Sequence, residues 1–187
     1  HVAAAANMRQ AHDHAPIATL EAAVRELVPT ALIGVAAQPN AFSEPVLRAL
    51  AAGTARPIVF ALSNPTSKAE CTSEEAYRWT DGRALFASGS PASPVTLGKS
   101  HFVPRQANNV YIFPGLGLGV VATQARLVTE RMFLSAARAL ADVVSDEDLA
   151  QGALFPPLEE IRTTSVTIAA AVVQVAVEDG LATVPVP

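Results

Sequence analysis

The stretch PIVFALSNPT, from Pro57 to Thr66, decides the fold class. Pro57 to Leu62 is short, continuously apolar and rich in Ile, Val and Phe, so it reads as a buried strand. Ser63-Asn64-Pro65-Thr66 ends it. Two more short apolar runs lie on either side, TALIGV at 30–35 and ALFA at 84–87. Helical patterns separate them. Thr19 caps a helix to about Val28, with Leu20, Ala23, Val24, Leu27 and Val28 on one stripe. Ser43 is the next N-cap candidate, with Glu44 and Pro45 in the first turn, Val46, Leu47 and Leu50 facing inward, and Gly53 as the stop. Thr72 and Glu75 have capping-box spacing before a short helix to about Trp79. Apolar strands separated by helices pair in parallel, with helices covering the faces. The class is therefore α/β. Ligands of such sheets gather at the carboxyl ends of the strands, here the loops after Val35, Leu62 and Ala87.

Composition narrows the possibilities further. A chain of 187 residues suits one domain or a large piece of one. Half the residues are apolar and 16% are charged, which excludes intrinsic disorder for most of the chain. Thirteen basic against seventeen acidic residues give a net charge of −4, so no basic field exists to hold nucleic acid. The single cysteine, Cys71, excludes an intrachain disulfide and a cysteine-rich zinc site and fits a reducing compartment. The most apolar run, Val166 to Val177, contains Gln174 and is too short to span a bilayer, so no membrane partner is expected. The opening residues lack the basic start of a signal peptide. Because the chain opens on His1 and has its first methionine at Met8, it reads as a piece of a longer polypeptide.

The second half changes character. Residues 88–108 are rich in Pro, Ser and Gly and read as a long irregular connection, a length that is uncommon without a function. Helices follow from Leu116 to about Val128, from Phe133 to Val144, over a short turn capped by Ser145, and from about Glu159 to Asp179, with Gly180 as the stop. The expected division is an α/β portion over 1–113 and a mainly helical portion over 114–187.

Asn64 follows the central strand, where its amide can donate to and accept from a carboxylate, a hydroxyl or a carboxamide. An ordinary Asn-Pro turn explains the same residues equally well. Asn108 and Asn109 lead into an apolar turn, either as ligand amides or as a side-chain-capped turn. Gly115, Gly117 and Gly119 lack the spacing of a dinucleotide fingerprint, and small residues in a tightly packed helix are the better reading. Ser88-Gly89-Ser90-Pro91 is not a nucleophile elbow. His12 and His14 flank Asp13 without a third metal ligand in register. Cys71 reads as structural, and neither Lys68 nor Lys99 has the apolar setting of a general base. The residues alone thus supply amide-rich strand-end loops for a small polar ligand, without an acid, a base or a metal site.

Four blocks carry a resemblance: IVFALSNPTSKAECTSEEAY, GRALFASGSP, QANNVYIFPG and LFPPLEEIR. In this order they resemble the carboxyl-terminal part of malic enzyme, from about His12 to about Val184. That family oxidatively decarboxylates malate to pyruvate and CO2 with NAD or NADP and Mg²⁺ or Mn²⁺. The resemblance implies a partial Rossmann-like parallel sheet with flanking helices and a helical carboxyl-terminal portion. It implies that Asn64 contacts malate and the nicotinamide end of the cofactor beside Ser63, and that the Asn108–Asn109 pair binds a malate carboxylate. It also implies that the catalytic Tyr and Lys, the metal ligands and the glycine-rich fingerprint lie upstream, in a missing amino-terminal part. A homo-oligomer in the cytoplasm or an organelle matrix is implied as well.

The chain departs from the family pattern in three places. Gln38-Pro39-Asn40 stands where glycines are usual, Arg105 stands where a Gly is usual, and Asn7 aligns with a Lys of NADP-dependent relatives, which tilts towards NAD. The rival reading is a non-catalytic assembly or regulatory module that kept the fold.

Overall fold

The computed structural model describes residues 17–185, and two compact units divide them. The first comprises the chain up to Ala107 together with Gln151–Ala153. Its sheet has three strands, β1 (Ala31–Gly34), β2 (Ile58–Ala61) and β3 (Leu85–Ser88), in the order β1-β2-β3. Both pairings are parallel, with Leu32 beside Val59 and Val59 beside Phe86. Helix α1 (Leu20–Leu27) leads into β1, and α2 (Glu44–Gly53) and α3 (Ser73–Trp79) form the two connections between strands.

Local chemistry sets the helix limits. Thr19 Oγ1 accepts from the Ala22 N–H at 3.2 Å, and the Thr72–Glu75 capping box is complete. Ser43 occupies the N-cap of α2, but its side chain makes no capping bond; Pro45, in the first turn, needs none. Gly53 closes α2 for a reason of space, because a Cβ there would lie 2.7 Å from Val28 Cγ1.

Alternation along the strands buries Leu32, Val59 and Phe86 against the helices, with Leu47, Leu50 and Tyr77 among the largest buried side chains. The other face of β1 is open: Ile33 is 60% exposed and Val35, just beyond it, 74%. This departs from the expectation that helices cover both faces. Among the described residues β1 is also an edge strand, paired only with β2.

The connection at 88–108 is less irregular than its composition suggests. It contains an antiparallel hairpin, β4 (Val95–Leu97) and β5 (Ser100–Phe102), closed by Gly98-Lys99 with Gly98 at φ +62°. Strands of three residues are too short to show a period. Tertiary contact holds the hairpin, since Phe102 stacks on Tyr77 with centroids 4.1 Å apart.

Tyr77 is fully buried, and its hydroxyl has no hydrogen-bond partner among the described residues. Burial pushes its pKa from 10.0 up to about 12. The neutral form is therefore favoured by folding. Stability is complete below pH 10, where both states are neutral, and falls between pH 10 and about 12 as only the unfolded chain ionises. Tyr77→Phe should flatten that alkaline loss. It should also raise stability at pH 7 by about 1 kcal/mol, because it removes a buried, unpaired hydroxyl. Denaturant melts at pH 7 and pH 11 check both effects; an equally steep alkaline loss in the variant would assign it elsewhere.

The second unit comprises Asn108–Ala150 and the chain from Leu154 onward. It holds α4 (Phe113–Thr123), α5 (Glu130–Asp142), α6 (Asp146–Ala150) and α7 (Ile161–Glu178). α4 starts earlier than the pattern suggests because Pro114 fits a first turn, and it stops at Gln124, which is left-handed at φ 46°. α5 also starts early, at Thr129, whose hydroxyl accepts from the Met132 N–H. Ser145 caps α6 as expected, accepting from the Asp148 N–H at 3.1 Å.

The apolar run at 166–177 lies within a longer helical stretch, Leu158–Glu178, which by length and composition alone could cross a membrane. Here it is the central helix of the unit. Ile168, Val172 and Ala176 are buried among Leu116, Met132 and Leu140 of α4 and α5.

The three glycines of α4 are not alike. A Cβ on Gly115 would lie 2.7 Å from Ile168 Cβ, and one on Gly119 2.8 Å from Val172 Cβ, so both permit close packing on α7. Gly117 meets nothing within 4 Å. Gly117→Ala should therefore stabilise by up to about 1 kcal/mol through helix propensity. Gly115→Ala should destabilise by about 1–3 kcal/mol through overpacking. Thermal melts of the two variants should move in opposite directions.

Candidate functional site

The carboxyl ends of β1, β2 and β3 release three loops in the first unit, and one hydrogen-bond network ties them together. After β2, Ser63 is buried and Asn64 is exposed, with a cis Asn64–Pro65 peptide. Asn64 Oδ1 accepts from Ser90 Oγ at 2.5 Å, and its Nδ2 lies 3.4 Å from the Leu62 carbonyl. An amide carries two N–H donors and two lone pairs. Asn64 is thereby oriented from the loop after β3 and keeps one donor and one lone pair for a ligand.

The loop after β3 is itself held firmly. Ser88 Oγ donates to the Ser90 carbonyl at 2.6 Å, and Gln106 Nε2 donates to the Gly89 carbonyl at 2.7 Å. Gly89 sits against the neighbouring loop so closely that a Cβ would lie 2.1 Å from the Leu62 carbonyl oxygen. Only glycine permits that approach.

Ser63 faces inward instead. Its hydroxyl accepts from the Ala37 N–H at 2.9 Å, in the loop after β1, and donates to Glu70 Oε1. Its own N–H points at Glu70 Oε2 at 3.4 Å. The side chain of Ser63 thus serves the loop rather than facing solvent.

A cleft of about 300 Å³ adjoins this network, lined in part by Thr66, Thr72, Ser88, Ser90 and Cys71. Cys71 is buried, and burial pushes its thiol well above the ordinary value, helped by Glu75 and Glu70. Burial and the raised pKa both favour the protonated thiol, which suits a structural role.

Asn108 and Asn109 belong to the second unit. Asn108 precedes a 3-10 turn, Asn109–Tyr111, and its Oδ1 accepts from the Val110 N–H at 3.0 Å. The capped-turn reading therefore describes its oxygen, while its NH2 group and Asn109 remain on the exposed surface. Tyr111, next in the turn, is buried and donates to the Pro156 carbonyl at 2.8 Å.

The structure brings Ser63 and Asn64 together with Ser90 and Gln106, and places Asn108 and Asn109 side by side in the other unit. Asn7, His12, Asp13 and His14 lie outside the described residues. Among the described residues no three His, Cys, Asp or Glu side chains converge on a point where a metal could sit.

Sequence reasoning missed Glu70. It lies in the polar stretch SKAECT, where a carboxyl is ordinarily solvated, yet it is 1% exposed. Only the neighbouring glycine of β1 hints at its burial.

A strand-end amide network on a parallel sheet does not by itself fix a function. A family model described as "Malic enzyme, NAD binding domain" matches residues 2–177. The chain belongs to the malic enzyme family. It is 53% identical over 175 residues to the human NADP-dependent malic enzyme, covering 93% of this chain and 31% of that protein. It is 50% identical over 173 residues to the chloroplastic NADP-dependent malic enzyme of Zea mays, covering 92% of this chain and 27% of that one. Among solved structures, the malic enzyme of Entamoeba histolytica superposes with a TM-score of 0.70 at 26% identity, over 90% of this chain and 31% of that one. The malic enzyme of Pyrococcus horikoshii gives 0.67 at 26% identity, over 89% and 34%. The three-stranded parallel sheet, its helices and the helical carboxyl-terminal part are thus those of malic enzyme Rossmann-like domains. The chain spans about a third of the length of the malic enzymes it matches.

Proposed function

We propose that this chain works as the later part of the NAD(P)-binding domain of a malic enzyme, which converts malate to pyruvate and CO2 while reducing NAD or NADP. Asn64 carries the reading: an exposed amide, fixed by Ser90 at the end of the central strand, with a donor and an acceptor left over. Such a group suits both a hydroxyacid and a nicotinamide carboxamide. The nicotinamide, when bound, accepts the hydride from C2 of malate. This chain's residues bind and orient. Asn64 contacts malate and the nicotinamide end, Ser63 supports that contact from beneath, and Asn108 and Asn109 offer amides to a malate carboxylate.

The described residues do not fit a divalent metal, so no step is assigned through one on this chain. Mg²⁺ or Mn²⁺ would be held by residues outside it. The names of the relatives favour NADP, against the tilt from Asn7 towards NAD. A reducing compartment, cytoplasm or organelle matrix, suits the lone buried thiol.

The test is a titration of the full-length polypeptide with NADH and NADPH, followed by fluorescence, alongside a malate oxidation assay. Saturable binding of one reduced cofactor and malate-dependent reduction are expected from the full-length polypeptide, and no turnover from the 187 residues alone. A folded full-length protein that binds neither cofactor would favour the non-catalytic assembly or regulatory module.

A further inference from the structure

Among the described residues of the first unit Glu70 is the most deeply buried charged-type side chain, and nothing in the proposed reaction uses it. Its surroundings are built around it. Gly34, the last residue of β1, lacks the Cβ that would otherwise lie 2.4 Å from Glu70 Cδ. The backbone of Glu70 is pinned as well, since its carbonyl accepts from the Phe42 N–H at 3.0 Å and the Ala69 carbonyl accepts from the Asn40 N–H at 3.3 Å. Both carboxyl oxygens then turn to a single residue, Ser63, through its hydroxyl and its N–H. Because Ser63 Oγ already accepts from the Ala37 N–H, its own proton is directed to Glu70. The Ser63 hydroxyl thus joins the loop after β1 to the loop after β2, and the Glu70 carboxyl fixes that hydroxyl from behind, one residue from Asn64.

A buried carboxyl is a poor device for stability, since an apolar side chain of similar size would fill the space without the desolvation cost. What it does provide is direction. We propose that Glu70 is a positioning residue for ligand binding: it holds the Ser63 turn at one place, so that the Asn64 amide is presented to malate and the nicotinamide in one orientation. This rests on the function proposed above and goes beyond it by naming the residue that sets the amide.

The test uses the full-length polypeptide and the variants Glu70→Gln, Ser63→Ala and their double. Gln keeps the shape but turns one acceptor into a donor facing Ser63. Ser63→Ala deletes only the hydroxyl and reports on the same link if Glu70→Gln fails to fold. Each single variant should raise the dissociation constant for reduced cofactor and the KM for malate about tenfold, with kcat changed less than about threefold. The double variant should be no worse than either single one, because all three break one link. Amide exchange at Ala37 and Ser63 should quicken about tenfold in the same variants.

A merely structural role would instead leave fewer folded molecules, lowering kcat at unchanged KM. That pattern, or fully additive effects, overturns the proposal. Wild-type protein that binds cofactor, with Glu70→Gln and Ser63→Ala binding equally well, overturns it alone. Wild-type protein that binds no cofactor overturns both it and the function on which it rests.

Discussion

Asn64→Ala in the full-length polypeptide will lower kcat/KM for malate by about 100-fold or more, a loss of about 2.7 kcal/mol of transition-state stabilisation. It will do so without unfolding the protein. The side chain is exposed, and within the chain it gives up one firm bond, from Ser90 Oγ at 2.5 Å, and one long approach, to the Leu62 carbonyl at 3.4 Å. Neither holds the core together, so the thermal midpoint should move by no more than about 4 °C. The size of the kinetic effect follows from geometry. An amide fixed from behind meets the ligand without reorganising, and its removal leaves the ligand's polar groups without a partner at the strand end. Steady-state kinetics beside a thermal melt separate the two effects. Unchanged kcat/KM would remove Asn64 from the site, and with it the observation on which the proposed function stands.

Gly89→Ala acts through the backbone and should be the most destabilising of the glycine substitutions. The added Cβ would meet the Leu62 carbonyl oxygen at 2.1 Å, the Leu62 carbonyl carbon at 2.6 Å and Asn64 Nδ2 at 2.9 Å. A flexible side chain could step aside. A main-chain carbonyl beside β2 cannot, so the loop after β3 must move, breaking the Ser90–Asn64 and Gln106–Gly89 bonds together. A loss of about 3 kcal/mol or more is expected, at the upper end of overpacking costs. Denaturant unfolding of the variant measures it, with Gly117→Ala as the matched glycine change that meets no neighbour. Equal stability of Gly89→Ala and the wild-type chain would mean that the loops after β2 and β3 are not in contact.

The fold was legible wherever one residue type states its local requirement. Thr19 and the Thr72–Glu75 pair begin helices because a hydroxyl or carboxyl satisfies an N–H left free by the first turn, and that need is written in three or four residues. PIVFAL at 57–62 and its two companions announced strands because they are short, apolar runs, and the helical patterns between them announced parallel pairing. The same logic failed for β4 and β5, which are three residues each and take their stability from the stacking of Phe102 on Tyr77. It failed again at α5, where Thr129 caps a helix three residues ahead of the apolar stripe.

The site divides in the same way. Asn64 was readable from its place after the central strand, and the small residues of α4 from their spacing. The inward turn of Ser63 and the burial of Glu70 were not, because both depend on partners seven or more residues away, one of them at Ala37.

By itself, then, the sequence determined the three strands of the parallel sheet, the helices around them and which strand ends hold amides, since propensity, capping and apolar runs act over a few neighbouring residues. Only the tertiary structure decided which side chain faces out and which faces in at each strand end, and that a carboxyl group lies beneath Ser63. Those choices are settled by space and by hydrogen bonds between residues far apart in the chain, at distances no local pattern records.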